Sequence, residues 1–197
     1  MRTLWFTLTG LGLGSLPLAW WLGRIVLRID TRTFGADRNP GAGNVWRAGG
    51  WKVGLPAAVL DVTKATLAVQ LAVSAGLEGW RLLPVAVAPA IGHAFSPFLR
   101  FRGGKGVACT FGAWLGLAGP PGGLALAVCF ALFYVVQRAD AWTNVLGTSF
   151  FGVVLVIVGA GAAFVAIAGA HALLLAWTSR RELREAPRLR WAPAAHR

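Results

Sequence analysis

Long apolar runs separated by short arginine-bearing gaps leave this chain few ways to fold. The runs at 4–26, 54–77 and 82–99 each approach or exceed the roughly 20 residues that an α-helix needs to cross the hydrocarbon core of a bilayer. Two shorter runs, 106–118 and 123–137, flank the turn signal Gly119, Pro120, Pro121, Gly122, Gly123. A last stretch, 141–178, is too long for one span and divides at Gly159 and Gly161. Seven spans are therefore expected. Composition agrees: 56% of the residues are hydrophobic, 13% are charged, and the mean hydropathy of +0.63 exceeds that of an ordinary soluble domain.

The net charge of +12 would suggest nucleic acid if the basic residues formed a face on a soluble fold. Here they fill the gaps between apolar runs, so no nucleic-acid partner is expected. Lys and Arg gather on the cytoplasmic side of short membrane loops. Seven spans put Arg24, Arg28, Arg32, Arg38, Arg47, Lys52, Arg100, Arg102, Lys105, Arg138 and the six arginines after residue 178 on one side. Only Arg2 and Arg81 fall on the other, with Lys64 inside a span. Fusing 106–137 into one span would move Arg138 and the tail to the wrong side. The expectation is an all-α integral membrane protein with seven transmembrane helices, its N-terminus outside and its C-terminus cytoplasmic. Residues 1–178 would form one membrane domain and 179–197 a solvated basic tail against the anionic leaflet.

Arg2 ahead of an apolar run ending near Gly23 has the outline of a signal peptide. The run is long enough to span, no small-residue cleavage site stands out and a basic segment follows, so it is expected to remain as the first span. Cys109 and Cys129 sit in apolar runs without metal-ligand spacing and read as packing residues, implying neither metal nor disulfide. Gly10 and Gly14, four apart, suit close helix contact in lipid.

Three polar segments carry possible chemistry. The first gap runs Asp37, Arg38, Asn39, Pro40, Gly41, Ala42, Gly43, Asn44, Val45, Trp46, Arg47. It is either a turn with topology-setting arginines or a nest of backbone N–H groups beside an arginine that can grip phosphate oxygens. The second reads Gly92, His93, Ala94, Phe95, Ser96, Pro97, Phe98, Leu99, Arg100, Phe101, Arg102, Gly103, Gly104, Lys105, Gly106, Val107. Glycines around a lysine at the mouth of a helix put a cation and bare amides where anions bind. It is not a Walker A loop, because no glycine sits five residues before the Gly–Lys pair and no Ser or Thr follows the lysine. His93 alone reads as a hydrogen-bonded structural residue or a base. Asp61 and Lys64, three apart, share a helix face inside the second span. Buried ionisable groups must pair or face a polar cavity, so they form either a structural pair or the border of a site.

Taken together these segments resemble the bacterial membrane glycerol-3-phosphate acyltransferases that use acyl-phosphate as donor. The resemblance begins at Gly14, Ser15, Leu16, Pro17 and continues through NPGAGNVWR at 39–47 and LDVTK at 60–64. It is closest at GHAFSPFLRFRGGKGVA, 92–108. The resemblance implies a seven-span enzyme of the bacterial inner membrane that moves a fatty acyl group from acyl-phosphate to the 1-hydroxyl of glycerol 3-phosphate. Lysophosphatidic acid and phosphate would result, in phospholipid synthesis, with no metal or organic cofactor. The His-x4-Asp motif of other membrane acyltransferases, absent from the family, is absent here: Asp does not stand at the fifth position after His93 or His171.

By the same resemblance Asn39, Gly41 and Asn44 would shape the first phosphate loop, Arg47 and Lys105 would hold phosphate oxygens, and Gly103, Gly104 and Gly106 would admit the ligand. His93 would brace the loops. The chain also departs from the family pattern. Asp37 and Arg38 replace the usual Ser-Gly before Asn39, so Asp37 would repel phosphate unless Arg38 neutralises it, and Gly43 stands where Thr is typical. The serine-rich third motif appears as Arg138 to Asn144, leaving Thr143 or Asn144 to supply its hydrogen bonds. A C-terminal His and Asn give way to Ser179, Arg180, Arg181, Glu182, Leu183, Arg184, where Arg180 or Arg181 would supply the lost donors. Two other readings remain: a non-catalytic relative that binds phosphorylated lipids or partners through its basic face, and a small transporter with Asp61 and Lys64 on its pathway.

Overall fold

The computed structural model describes residues 1–35 and 37–191; the end of the expected tail, 192–197 with Arg197, lies outside the described residues. Eight α-helices follow in order: α1 (Arg2–Ser15), α2 (Leu18–Leu22), α3 (Ala42–Gly49), α4 (Trp51–Ser74), α5 (Leu82–Ala94), α6 (Val107–Val136), α7 (Asp140–Ile157) and α8 (Ala162–Thr178). Among the described residues the only strand-like pairing is an isolated bridge between Gln137 and Leu189.

The first expected span is interrupted where Pro17 follows Leu16, which takes an extended conformation (φ −65°, ψ 117°), as the residue before proline is pushed to do. Helix resumes as α2 and ends in a π turn, Gly23–Leu27, capped by Arg28 in the left-handed region. The expected spans at 106–118 and 123–137 meet as α6, whose 30 residues are broken at Gly119 (φ 64°, ψ −161°). This break is a reversal. Phe111 and Phe130 stack edge to face with ring centroids 4.9 Å apart, whereas 19 residues of straight helix would separate them by about 28 Å. The Gly119-Pro120-Pro121 signal thus makes a hairpin of two limbs, 107–118 and 120–136.

Counting both limbs, seven long helical segments result: α1, α4, α5, the two limbs, α7 and α8. Among the described residues five stretches are long and apolar enough to cross a membrane: Arg2–Leu27, Trp51–Ser74, Gly79–Leu99, Val107–Val136 and Asp140–Ile157, with Ala162–Thr178 a shorter apolar helix. The expected division near Gly159 is present, with α7 ending at Ile157 and α8 starting at Ala162.

Close approach holds the bundle together. At Gly14 a Cβ would overlap the backbone carbonyl of Pro89, and at Gly92 it would overlap that of Leu11, so α1 and α5 touch backbone to backbone. In lipid, where no hydrophobic force drives helices together, such small-residue seams let van der Waals contact do so. The central cluster includes Val69, Val85, Trp114, Leu126, Phe151 and Ile167, all almost fully buried, with the Trp114 ring 4.6 Å from that of Phe151. Leu67 and Leu71 on α4, Leu124, Val128 and Leu132 on α6, and Val153 and Val156 on α7 point outward. Their spacing makes helix faces suited to hydrocarbon.

Residues 182–190 do not stand off as a free tail. The Gln137 side-chain oxygen accepts the N–H groups of Arg138, Ala139 and Arg188. Trp142 Nε1 donates to the Glu185 carbonyl at 2.8 Å, and Arg190 N to the Val136 carbonyl at 2.9 Å. Glu182, in the turn that follows α8, reaches the site described next.

Candidate active site

A cavity of about 560 Å³ opens between the first loop, α4, the N-terminus of α6, both α6 limbs and the start of α7. It has a polar rim and an apolar wall. Asp37, Asn39, Asn44, Arg47, Lys105, Asp140, Thr143 and Asn144 are on the polar side; Val62, Val107, Phe111, Phe130 and Tyr134 are on the other.

The first loop is built around Asn44, which is 1% exposed. Its amide nitrogen donates to Asp37 Oδ1 at 3.1 Å and to the Asn39 carbonyl at 2.8 Å, and its oxygen accepts Arg47 Nη1 at 2.7 Å. Asn39 Oδ1 accepts the Gly41 N–H at 2.9 Å, an Asx turn. α3 then starts at Ala42, within the segment that the sequence left as either a turn or a nest of backbone N–H groups. Asn39 and Asn44 thus shape the loop, and the cation that it presents is Arg47. Arg47 Nη2 also reaches Asp140 Oδ2 at 3.0 Å, with both side chains about half exposed, so this pair is worth at most about 1 kcal/mol.

Lys105 is the best-shielded cation on the rim. Its Nζ lies 2.8 Å from Asp37 Oδ2 and hydrogen-bonds Glu182 Oε2. Arg38 does not neutralise Asp37, as the sequence suggested; Lys105 does. Burial opposes the ammonium charge, and the hydrogen bonds to Asp37 and Glu182 outweigh it, so the Lys105 pKa stands above its ordinary value. For Asp37 burial favours the neutral acid, and Lys105 and Asn44 overcome it, leaving the carboxyl below its ordinary value. The two shifts set a pH window. A lowered carboxyl contributes stability above the unfolded-state pKa and loses it as pH falls through the folded value; a raised lysine contributes below the unfolded-state pKa and loses it as pH rises through the folded value. Thermal stability carried by this pair is therefore expected to be level between about pH 5 and 9 and to fall beyond both ends. A melting series in which Asp37→Asn leaves the acid-side decline unchanged would refute this assignment.

Gly103 and Gly104 do not line the cavity. The Gly103 N–H donates to the Ala94 carbonyl at 2.9 Å and the Gly104 N–H to that of His93 at 3.2 Å. A Cβ on Gly104 would collide with the His93 ring. These glycines let the loop lie against the end of α5 and so aim Lys105. Gly106 (φ 93°) precedes α6 and lines the cavity with Val107 and Ala108, so the helix N-terminus with its unpaired amides opens there.

Beneath the rim, Lys64 Nζ lies 2.8 Å from Asp61 Oδ1 and 3.0 Å from His93 Nδ1, and donates to the Leu16 carbonyl at 2.6 Å. An ammonium facing Nδ1 requires that nitrogen to accept, which places the neutral ring's proton on Nε2. Asp61 is 1% exposed, and neither of its oxygens has a hydrogen bond of good angle. Asp61 and His93 line the cavity. Thr143 also lines it, and its buried hydroxyl lacks a partner. Arg180 lies elsewhere: its guanidinium stacks on Trp177 at 4.8 Å and donates to the Trp177 carbonyl. Neither Arg180 nor Arg181 lines the cavity.

Sequence reasoning missed Glu182, Asp140 and the aromatic wall of Phe111, Phe130 and Tyr134. Scarcity was the available signal for the acids. The chain has only seven Asp and Glu, so each one among basic loops is a candidate ion partner. No metal-holding group of His, Cys, Asp and Glu occurs among the described residues.

The bundle and its cavity define a multi-pass membrane protein whose pocket sets Arg47 and Lys105 beside an apolar wall, and comparisons with known proteins narrow that class. The family profile described as glycerol-3-phosphate acyltransferase matches residues 4–187. The glycerol-3-phosphate acyltransferase of Thermus thermophilus is 36% identical over 183 residues, covering 91% of this chain and 89% of that protein. Glycerol-3-phosphate acyltransferase 1 of Thermotoga maritima is 47% identical over 89 residues, 44% of this chain and 43% of that protein. Among solved structures, the fold matches that of PlsY (YgiH), an integral membrane glycerol 3-phosphate acyltransferase in its glycerol 3-phosphate form. The TM-score is 0.79 at 25% identity, over 93% of this chain and 91% of that one. The chain belongs to the glycerol-3-phosphate acyltransferase family.

Proposed function

We propose that this protein transfers a fatty acyl group from acyl-phosphate to the 1-hydroxyl of glycerol 3-phosphate, forming lysophosphatidic acid and phosphate for phospholipid synthesis. The observation that carries this reading is the two-sided cavity. Arg47 and Lys105, each paired with rim carboxylates that a phosphorylated head group could displace, suit a phosphate, and the wall of Phe111, Phe130 and Tyr134 suits an acyl chain.

In the reaction the glycerol hydroxyl oxygen attacks the acyl carbonyl carbon, the carbon–oxygen bond to phosphate breaks, and phosphate leaves with the electron pair. The hydroxyl proton passes to the departing phosphate or to water. An acyl-phosphate is already activated, so the protein's work is orientation and charge stabilisation. Lys105 and Arg47 would hold phosphate oxygens, the α6 N-terminus at Gly106 would add amide donors, and Thr143 and Asn144 would complete the rim. Asn39, Gly41 and Asn44 would keep Arg47 in place, Gly103 and Gly104 would position Lys105, and His93, Asp61 and Lys64 would support the floor. Membrane lipids surround the bundle. The distribution of Lys and Arg favours the N-terminus outside and the cavity mouth facing the cytoplasm of a bacterial inner membrane, with 1–178 as the membrane domain.

Purified protein in lipid nanodiscs supplied with palmitoyl phosphate and glycerol 3-phosphate is expected to release phosphate and lysophosphatidic acid in equal amounts. Thr143→Val, which removes only the unpartnered hydroxyl, is expected to raise KM for glycerol 3-phosphate by about tenfold, the value of one hydrogen bond to a charged group. Absence of product from the wild-type protein would reject the reading.

A further inference from the structure

A second cleft, of about 530 Å³, is lined by Trp20, Arg32, Phe98, Leu99, Arg100 and Arg102 and shares no lining residue with the active-site cavity. Its charge is unbalanced. Asp30 is committed to Arg32, whose Nη2 lies 2.6 Å from Asp30 Oδ2, and it also accepts the Trp20 indole N–H at 3.0 Å. The Arg32 hydrogen bond in particular holds the Asp30 carboxyl well below the usual carboxylate range, so it stays ionised and bound to that arginine. Among the described residues no carboxylate lies within ion-pair distance of Arg100 or Arg102. Two positive charges therefore remain unmatched in one cleft.

The backbone that carries them is strained. Arg100 (φ 52°) and Phe101 (φ 59°) both lie in the left-handed region, which residues other than glycine seldom occupy. The Ser96 carbonyl accepts the Phe101 N–H at 2.8 Å, and Ser96 Oγ donates to the Ser15 carbonyl at 2.6 Å, fastening the turn to the end of α1. A turn held in an unfavourable conformation by neighbouring structure is a recurrent mark of a binding segment. Its setting adds the chemistry. The cleft lies where α2 and α5 leave their apolar stretches, and Phe98 and Phe101 are largely exposed there. Aromatic rings beside arginines at the end of a span belong at headgroup depth.

We propose that this cleft binds the phosphate headgroup of an anionic membrane phospholipid. Arg100 and Arg102 hold the phosphate oxygens, and Trp20 and Phe98 flank the glycerol and the upper acyl chain. Free phosphate would satisfy the arginines but leave the exposed rings unused. The site stands apart from the acyl-transfer cavity and does not rest on the catalytic reading.

The test uses the full chain in detergent, titrated separately with short-chain phosphatidylglycerol, short-chain phosphatidylcholine and inorganic phosphate. Native mass spectrometry reads retention and the thermal midpoint reads stabilisation. Phosphatidylglycerol is expected to be retained in preference to phosphatidylcholine. Arg100→Gln with Arg102→Gln is expected to weaken that retention about 25-fold, each arginine contributing about a factor of five. Arg188→Gln, at an exposed arginine of the 182–190 segment, should leave it unchanged. Equal retention of the two lipids, unchanged phosphatidylglycerol binding in the double variant, or displacement by an equal concentration of inorganic phosphate would each overturn the proposal. If the double variant fails to fold, a salt titration of the wild-type protein decides, because headgroup binding through two arginines must weaken as ionic strength rises.

Discussion

Replacing Lys105 with alanine is expected to lower kcat/KM for acyl transfer by about 10²–10³, the usual effect of deleting one preorganised donor to a developing anion. Two consequences of the substitution act in the same direction. The cation proposed to hold phosphate is lost, and Asp37 and Glu182, which pair with it, are left as uncompensated negative charges at the rim. Arginine at this position should restore little, since a planar fork does not replace a point charge seated between two carboxylates. Steady-state kinetics with palmitoyl phosphate and glycerol 3-phosphate measure the effect. Activity within a factor of about three of wild type would remove Lys105 from the mechanism, because that is under 1 kcal/mol of barrier.

The second large effect falls on stability. Asp61→Ala leaves Lys64, only 3% exposed, as an unpaired buried charge, and breaking such a pair costs about 3–5 kcal/mol. For a chain of this size the thermal midpoint should fall on the order of 10 °C. Asp61→Leu combined with Lys64→Met removes both charges and should regain much of the loss, since an apolar pair of similar volume avoids the desolvation cost. A single variant as stable as the double one would show that Lys64 is not confined in the way its contacts indicate. Activity gives a separate reading: the double variant loses the support under His93 even when its midpoint recovers.

Much of the architecture was legible because membrane insertion writes it in composition. Apolar length gave the number of helical segments, and Gly119-Pro120-Pro121 marked the reversal within α6 that brings Phe111 to Phe130. The division near Gly159 was read the same way, whereas the break at Pro17 was not anticipated, since 4–26 was expected as one continuous span. What stayed hidden depends on folding back. Glu182 is 77 residues from Lys105, and no periodicity connects them. The resemblance to the family identified the cationic loops. The substitutions that distinguish this chain acquired a physical meaning only in three dimensions: Asp37, an unexpected acid in a phosphate loop, is a partner for Lys105. Arg180, expected to replace a lost donor, is held by Trp177 instead. The basic segment after α8 is largely exposed, as its charge suggested; what charge could not show is that the Gln137 side-chain oxygen accepts the Arg188 N–H and ties that segment to the end of α6.

The clamp on Lys105 changes what substrate capture means in this protein. The ammonium already pairs with two carboxylates, so a phosphate held by Lys105 as proposed would exchange with Asp37 and Glu182 and would not fill bare positive space. Affinity is then the difference between two sets of ionic contacts. Because Glu182 belongs to the docked segment at the C-terminal end, exchange at Lys105 also loosens one attachment of that segment. Substrate entry and release would be accompanied by swinging of a carboxylate away from the rim and back.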